Sequence, residues 1–354
     1  MADADFEICP FRPEWEPEVL ALLAPLWGGD AAARAAYHRW KYPGSPWAPA
    51  PLGIVARAAG RVVGFRGYFA QPFAVPGLGE RVVLVPGDTC VDPAYRRAGL
   101  SIRMGHAARA AYEAASPLLL NLSATPGALP GYQELGFRPL AAKHPVVRAT
   151  PLGTVRYLLS VLRRRDAGPT LPEGRAGTAG LEASATLPVA AWTAIRVPDT
   201  GRIRLARDAR WLGWRYANPR GRYRFYLLRD GDGGRPVAAA AIGRSAEGPR
   251  GHLLDLVGES AAREREIVAA IVGRREFAVL SIAHFAAEPR PWLAGLGFRD
   301  HHAIRALERR RTGEVPVLVR PTAAAAADAD FLLGGLDVRR PASWDLTPIA
   351  SDAV

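Results

Sequence analysis

The residue types best suited to hold an anion lie in one stretch, Val91-Asp92-Pro93-Ala94-Tyr95-Arg96-Arg97-Ala98-Gly99-Leu100-Ser101. Arg96 and Arg97 are charge-assisted donors. Gly99 lets the backbone approach an anion with no Cβ in the way. The flanking elements give these residues a place to act. Arg81 to Val85 is rich in β-branched residues and predicts a strand. Leu100, Met104, Ala107 and Ala111 recur at helical spacing, with Arg103, His106, Arg109 and Glu113 on the other side. The stretch is therefore a strand-to-helix turn. At its helix mouth successive N–H groups lack intrahelical partners and the helix dipole adds partial positive charge. Such a turn suits a phosphate or pyrophosphate; the competing reading is a basic helix start on a solvated face.

The pattern Arg96-x-x-Gly99-x-Ser101, preceded by Val91-x-Pro93, resembles motif A of the GCN5-related N-acetyltransferase (GNAT) family, Gln/Arg-x-x-Gly-x-Gly/Ala. Ser101 stands where Gly or Ala is usual. Further on, Tyr132-Gln133-Glu134-Leu135-Gly136-Phe137 resembles motif B, in the right order and on the right kind of element. The resemblance implies an α+β (α/β) fold with a central mixed, mainly antiparallel sheet flanked by helices. It also implies acetyl-coenzyme A, or another acyl-coenzyme A, as co-substrate.

Composition fits a soluble globular protein of two domains, with 354 residues, 49% hydrophobic and 23% charged. No apolar run is long enough for a membrane span. Met1 to Glu7 is acidic and carries no apolar core of a signal peptide, so a cytoplasmic location is the expectation. Cys9 and Cys90 form neither a disulfide framework nor a metal spacing, and no metal is expected. Net charge is +12, carried by 44 arginines and only two lysines, Lys41 and Lys143. The basic balance fits an anionic small molecule. The arginines are dispersed without interleaved aromatics, so nucleic acid is not the expected partner.

The chain reads in order as a strand near Ile8, a helix with Val19, Leu20, Leu23 and Leu26, and a second helix ending at Trp40-Lys41-Tyr42 before Pro43. Strands follow at Gly53 to Arg57, Arg61 to Tyr68 and Arg81 to Val91, the last interrupted at Pro86-Gly87. After the helix from Leu100, Pro117 to Leu122 is a short buried strand. Thr150 to Arg165 is an amphipathic helix, and Asp166 to Gly180 is the linker. The second half repeats the first. Trp214-Arg215-Tyr216 echoes Trp40-Lys41-Tyr42, and Leu296-Gly297-Phe298 echoes Leu135-Gly136-Phe137. Expected boundaries are an N-terminal GNAT domain at 1–149, a helix and linker at 150–182, a degenerate GNAT-like domain at 183–312 and a tail at 313–354. The tail's Val317 to Val319 is expected to be a strand covering a sheet edge.

The second copy is not expected to bind coenzyme A. Its junction, Val257 to Arg265, places Glu259 and Glu264 where a pyrophosphate would sit, and Leu293 stands at the place of Tyr132. In the first copy the resemblance implies that Arg96, Arg97, Ala98, Gly99, Leu100 and Ser101 hold the pyrophosphate. It implies that the backbone of Cys90 and Val91 polarises the thioester, and that Tyr132 is the general acid. Thr125 takes the place of an asparagine that bonds the pantetheine arm. Asp88 is a candidate base acting through water, or a strand-end carboxylate. Trp40, Tyr42, Trp214 and Tyr216 either line an acceptor cleft or belong to the core. The function expected is acyl transfer from coenzyme A to a small-molecule amine. The alternatives are a Fem-like transferase using aminoacyl-tRNA and a catalytically retired acyl-coenzyme A-binding protein.

Overall fold

The computed structural model of the protein describes residues 6–142, 144–162, 180–244, 250–284, 290–300, 316–323 and 327–351. Most of the linker predicted at 166–180 lies outside these residues. The first copy runs β1 (Glu7–Pro10), α1 (Glu16–Trp27), α2 (Ala31–Lys41), β2 (Gly53–Ala58), β3 (Arg61–Val75), β4 (Gly79–Val91), α3 (Leu100–Tyr112), β5 (Leu118–Asn121), α4 (Leu129–Glu134) and β6 (Arg138–Ala142). Then come β7 (His144–Ala149), α5 (Pro151–Leu162) and β8 (Leu181–Ser184). The second copy continues with α6 (Val189–Thr193), β9 (Ile203–Leu205), α7 (Ala209–Tyr216), β10 (Tyr223–Arg229), β11 (Pro236–Arg244), β12 (Arg250–Gly258), α8 (Ala261–Arg274), β13 (Val279–His284) and α9 (Trp292–Gly295). The tail holds β14 (Pro316–Pro321) and the short β15 (Leu332–Leu333), β16 (Leu336–Asp337) and β17 (Trp344–Asp345).

Two mixed, mainly antiparallel sheets result, in order β1-β2-β3-β4-β5-β14-β6 and β7-β13-β12-β11-β10-β8. Each contains a parallel pair at a matching place, β4 with β5 and β12 with β13. The duplication shows in the turns as well. Phe137 N–H donates to Tyr132 O at 3.0 Å, and Phe298 N–H donates to Leu293 O at 3.1 Å. Gly136 and Gly297, at φ +85° and +82°, make the same left-handed step. The second copy is shorter because β11 and β12 have nine residues each against fifteen and thirteen in β3 and β4.

The strands after motif B depart from the sequence-based boundaries. β14 does not cover an edge: it lies inside the first sheet, antiparallel to β5 on one side and to β6 on the other. Reciprocally β7, counted with the N-terminal copy, is antiparallel to β13 in the second sheet and is bridged through Val147 to Arg299. Each copy thus completes its sheet with the other's strand. Sequence cannot show this, because an apolar strand carries no record of which sheet it joins. The remaining tail adds β17 beside β9, which in turn pairs with β3.

One core of buried residues runs between the sheets, joining Phe69, Phe73 and Val85 to Trp192, Trp211, Leu227 and Ile349. At its centre Trp40 and Trp214 stack, with centroids 5.7 Å apart. Each indole N–H donates to the other's carbonyl, at 2.8 and 3.0 Å. Both are buried, so these two tryptophans belong to the core and line no cleft. Among the described residues no helix is long and apolar enough to cross a membrane.

Candidate functional site

The anion-binding turn begins where β4 parts from β5. The two strands pair only at Leu84 and Leu119, after which β4 runs on with an open edge. Asp92 N–H donates to Val63 O at 2.9 Å. Val91, opposite Gly64, is therefore a non-bonded ladder position and turns its N–H and C=O away from β3. Cys90 points its backbone the other way, into the β3 ladder, and its thiol donates to Leu22 O at 3.3 Å. Burial pushes that thiol's pKa up. Of the two backbone positions expected at the thioester, the open edge presents Val91 and not Cys90.

Past Val91, Asp92 caps the short 3-10 turn Pro93–Tyr95 through Ala94 N–H. Arg97 and Gly99 then both take left-handed φ, +65° and +69°. A non-glycine residue there costs of order 1 kcal/mol. The alternation folds the chain into a concave nest of N–H groups. Gly99 caps α3 without a side-chain acceptor. Among the described residues the amides of Arg97, Ala98, Gly99, Leu100 and Ser101 have no hydrogen-bond partner. Arg96 is exposed beside them, its Nε donating to Val91 O at 3.2 Å. Five unpaired donors, a helix N-terminus and two arginines converge there.

The second copy's junction is closed by its own side chains. Ser260 Oγ accepts from Arg263 N–H at 3.2 Å and caps α8. Glu259 pairs with Arg235, and Glu264 pairs with Arg290 at 2.9 Å. A Cβ on Gly258 would meet Glu264 Cγ at 2.9 Å, so that carboxylate arm lies over the strand end. These contacts leave little room for a second anion.

Asp88 is a different kind of residue from the base candidate proposed by sequence. It sits in a bulge where Arg66 of β3 faces two residues of β4, and its φ is +40°. Its carboxylate accepts from Trp27 Nε1 at 2.9 Å, Lys41 Nζ at 2.5 Å and Tyr42 OH at 2.7 Å. Burial alone would raise its pKa, but the Lys41 ammonium and the indole and phenol donors hold it below the usual carboxylate range. A carboxylate so engaged is a poor proton acceptor. Tyr42 and Lys41 are thereby spent on Asp88. The second copy builds a similar cluster, in which Asp255 accepts from Arg207 and Thr347, with Tyr216 OH at 3.5 Å.

Tyr132 lies on α4, 8% exposed, edge-on to Phe137 with centroids 5.0 Å apart. Thr125 is exposed at the start of the 3-10 turn Pro126–Ala128. Sequence reasoning missed two residues on this side of the sheet. Asp88 and Cys90 both turn toward α1 and α2, so Thr89 between them faces α3; its Oγ1 is buried without a partner. Arg66, alternating with Phe65 and Gly67, faces the same way and places its guanidinium 5.0 Å from the Tyr132 ring centroid. A polar pair at 66 and 68 in an apolar strand was the available signal. A cavity of about 270 Å³ lies elsewhere, between α6 and β9, with Trp192, Ile195 and Leu205 in its wall. Among the described residues no three His, Cys, Asp or Glu side chains converge as a metal site.

No family model and no curated protein matches the sequence. Solved structures match the fold. A GCN5-related N-acetyltransferase from Anabaena variabilis ATCC 29413 is 12% identical with a TM-score of 0.59, covering 90% of this chain and 73% of that one. Eis1 from Mycobacterium abscessus is 16% identical, with a TM-score of 0.55 and coverage of 92% and 76%. Saccharomyces cerevisiae N-myristoyltransferase with bound myristoyl-CoA is 12% identical, with a TM-score of 0.54 and coverage of 90% and 83%. The protein has the GNAT fold in tandem.

Proposed function

We propose that the protein is an acyltransferase that moves an acetyl or other acyl group from coenzyme A to the amine of a small molecule. The observation that carries this reading is the set of five unpaired amides from Arg97 to Ser101 beside Arg96, at the end of the open β4 edge. A pyrophosphate satisfies those donors together. The open edge beyond Leu84 then suits the amide-bearing pantetheine arm, with the Val91 N–H as a polar contact. The Saccharomyces cerevisiae N-myristoyltransferase of the same fold holds myristoyl-CoA.

In this reading the amine nitrogen attacks the thioester carbonyl directly. The amine loses a proton to water, the C–S bond breaks, and Tyr132 OH protonates the leaving sulfur. Proximity supplies most of the acceleration, because the nest fixes one end of a long substrate. No side chain is assigned as base, since Asp88 is engaged.

Isothermal calorimetry with acetyl-coenzyme A tests the reading. Arg96→Glu is expected to weaken binding about tenfold or more, by replacing an attraction with a repulsion at the nest. Equal affinity in both proteins overturns the loop assignment. Tyr132→Phe is expected to retain affinity and to lose roughly 10²-fold or more in thiol release with an amine panel. Unchanged turnover at every pH overturns the acid role.

A further inference from the structure

Arg66 carries a charge that nothing described in the fold balances. It is 2% exposed. Its Nε donates to Tyr68 OH at 3.0 Å, and its guanidinium lies 5.0 Å from the Tyr132 ring centroid and 5.9 Å from that of Tyr68. Among the described residues no carboxylate is within ion-pair distance of it. Asp88, its nearest acidic neighbour along the sheet, turns to the opposite face and is paired with Lys41. The other ionisable groups gathered on this face are Tyr68 on β3, Tyr112 and Arg109 on α3, Tyr132 on α4 and Arg320 on β14. None is a carboxylic acid.

Burying an unpaired cation is unfavourable, and an apolar side chain would fill the same space without that penalty. The second copy makes that substitution. Its corresponding central strand, β11, presents only buried alanines from Ala238 to Ala241. Arg66 occurs in the copy that also has the open nest and the motif B tyrosine. Tyr132 and Arg66 are present together, and Leu293 and alanine are present together.

We infer that Arg66 is a positioning residue that holds Tyr132 as an acid, its buried cation balancing the phenolate left when the tyrosine proton passes to the departing sulfur. This rests on the coenzyme A reading above. The step balances. The amine nitrogen bonds to the acyl carbon, the C–S electron pair goes to sulfur, and sulfur takes the hydroxyl proton of Tyr132. The phenolate rests against Arg66 until water returns a proton, and the amine's own proton leaves to water. With product coenzyme A bound, the same cation favours loss of one proton from the pair formed by the coenzyme thiol and the Tyr132 hydroxyl.

Calorimetry with two probes between pH 7 and 9 tests this without knowledge of the acceptor. Coenzyme A has an ionisable thiol and acetyl-coenzyme A has none. In the wild-type protein the affinity ratio of coenzyme A to acetyl-coenzyme A is expected to rise severalfold across this range, as it does when one thiol pK falls by about one unit on binding. Arg66→Met is expected to abolish the rise while acetyl-coenzyme A still binds, and Arg66→Gln serves as the neutral variant if the methionine protein does not fold. Arg66→Lys is expected to keep part of the rise, which a purely packing role would not produce. Tyr132→Phe is expected to abolish it, with no further loss in the double variant. A rise that persists in the neutral variant, or a flat ratio in wild type with both ligands bound, overturns the inference and leaves the coenzyme reading standing. No binding of either ligand to wild type overturns both.

Discussion

Asp88 shows what a single residue reveals to sequence and what it hides. An acidic residue near the end of the strand before the turn was legible. Its partners were not, because Trp27, Lys41 and Tyr42 lie 61, 47 and 46 residues away. Those contacts decide its chemistry: they make it an anchor joining β4 to α1 and α2. The anchor also explains a glycine. A Cβ on Gly67 would collide with the Tyr42 phenol, which crosses over that position on its way to Asp88. Gly67 has no unusual φ, so its role is space alone. Gly67→Ala is therefore expected to push Tyr42 off Asp88 and to destabilise the fold by about 1–3 kcal/mol or more. Urea unfolding followed by fluorescence would measure it, and a change within experimental error would show that the ring moves aside freely.

At the scale of elements, the two strand-to-helix junctions were legible in sequence and the structure separates them further. The first leaves its helix start open, and the second closes it with Ser260 and lays Glu264 over the strand end. The charges at Glu259 and Glu264 predicted the difference in kind. The bulge and the inward-facing Arg66 and Thr89 were hidden, because a bulge shifts the inside–outside alternation on which strand reading depends. The cap makes a further prediction. Ser260→Ala is expected to lower stability by about 1 kcal/mol through the freed helix N–H. Acetyl-coenzyme A affinity should stay unchanged, because the nest belongs to the other copy. Thermal unfolding paired with calorimetry checks both halves of that statement. A shift in affinity would mean that the second junction contributes to the coenzyme site.

For the whole molecule, duplication was legible in Trp40 and Trp214 and in the two Leu-Gly-Phe turns, but exchange between the copies was not. Helix and strand periodicities are local, whereas the placement of β7 and β14 is a choice between two similar sheets. The consequence is that neither copy owns a complete sheet. A fragment ending at residue 149 lacks β14, so β5 and β6 lose the strand both of them bond. It also exposes the apolar face of Phe69, Phe73, Val83 and Val85 that the second copy covers. A fragment beginning at residue 150 lacks β7 and leaves β13 with an unpaired edge. Open apolar edges of that kind drive aggregation. Each half expressed alone is therefore expected to be insoluble or molten. The halves expressed together are expected to form one soluble complex, because every exchanged strand then finds its place. The intact chain should unfold in urea as one transition seen alike by tryptophan fluorescence and far-UV circular dichroism. A half that folds alone, with sharp near-UV signals and its own cooperative transition, would show that the borrowed strand is dispensable and that the copies are separate domains.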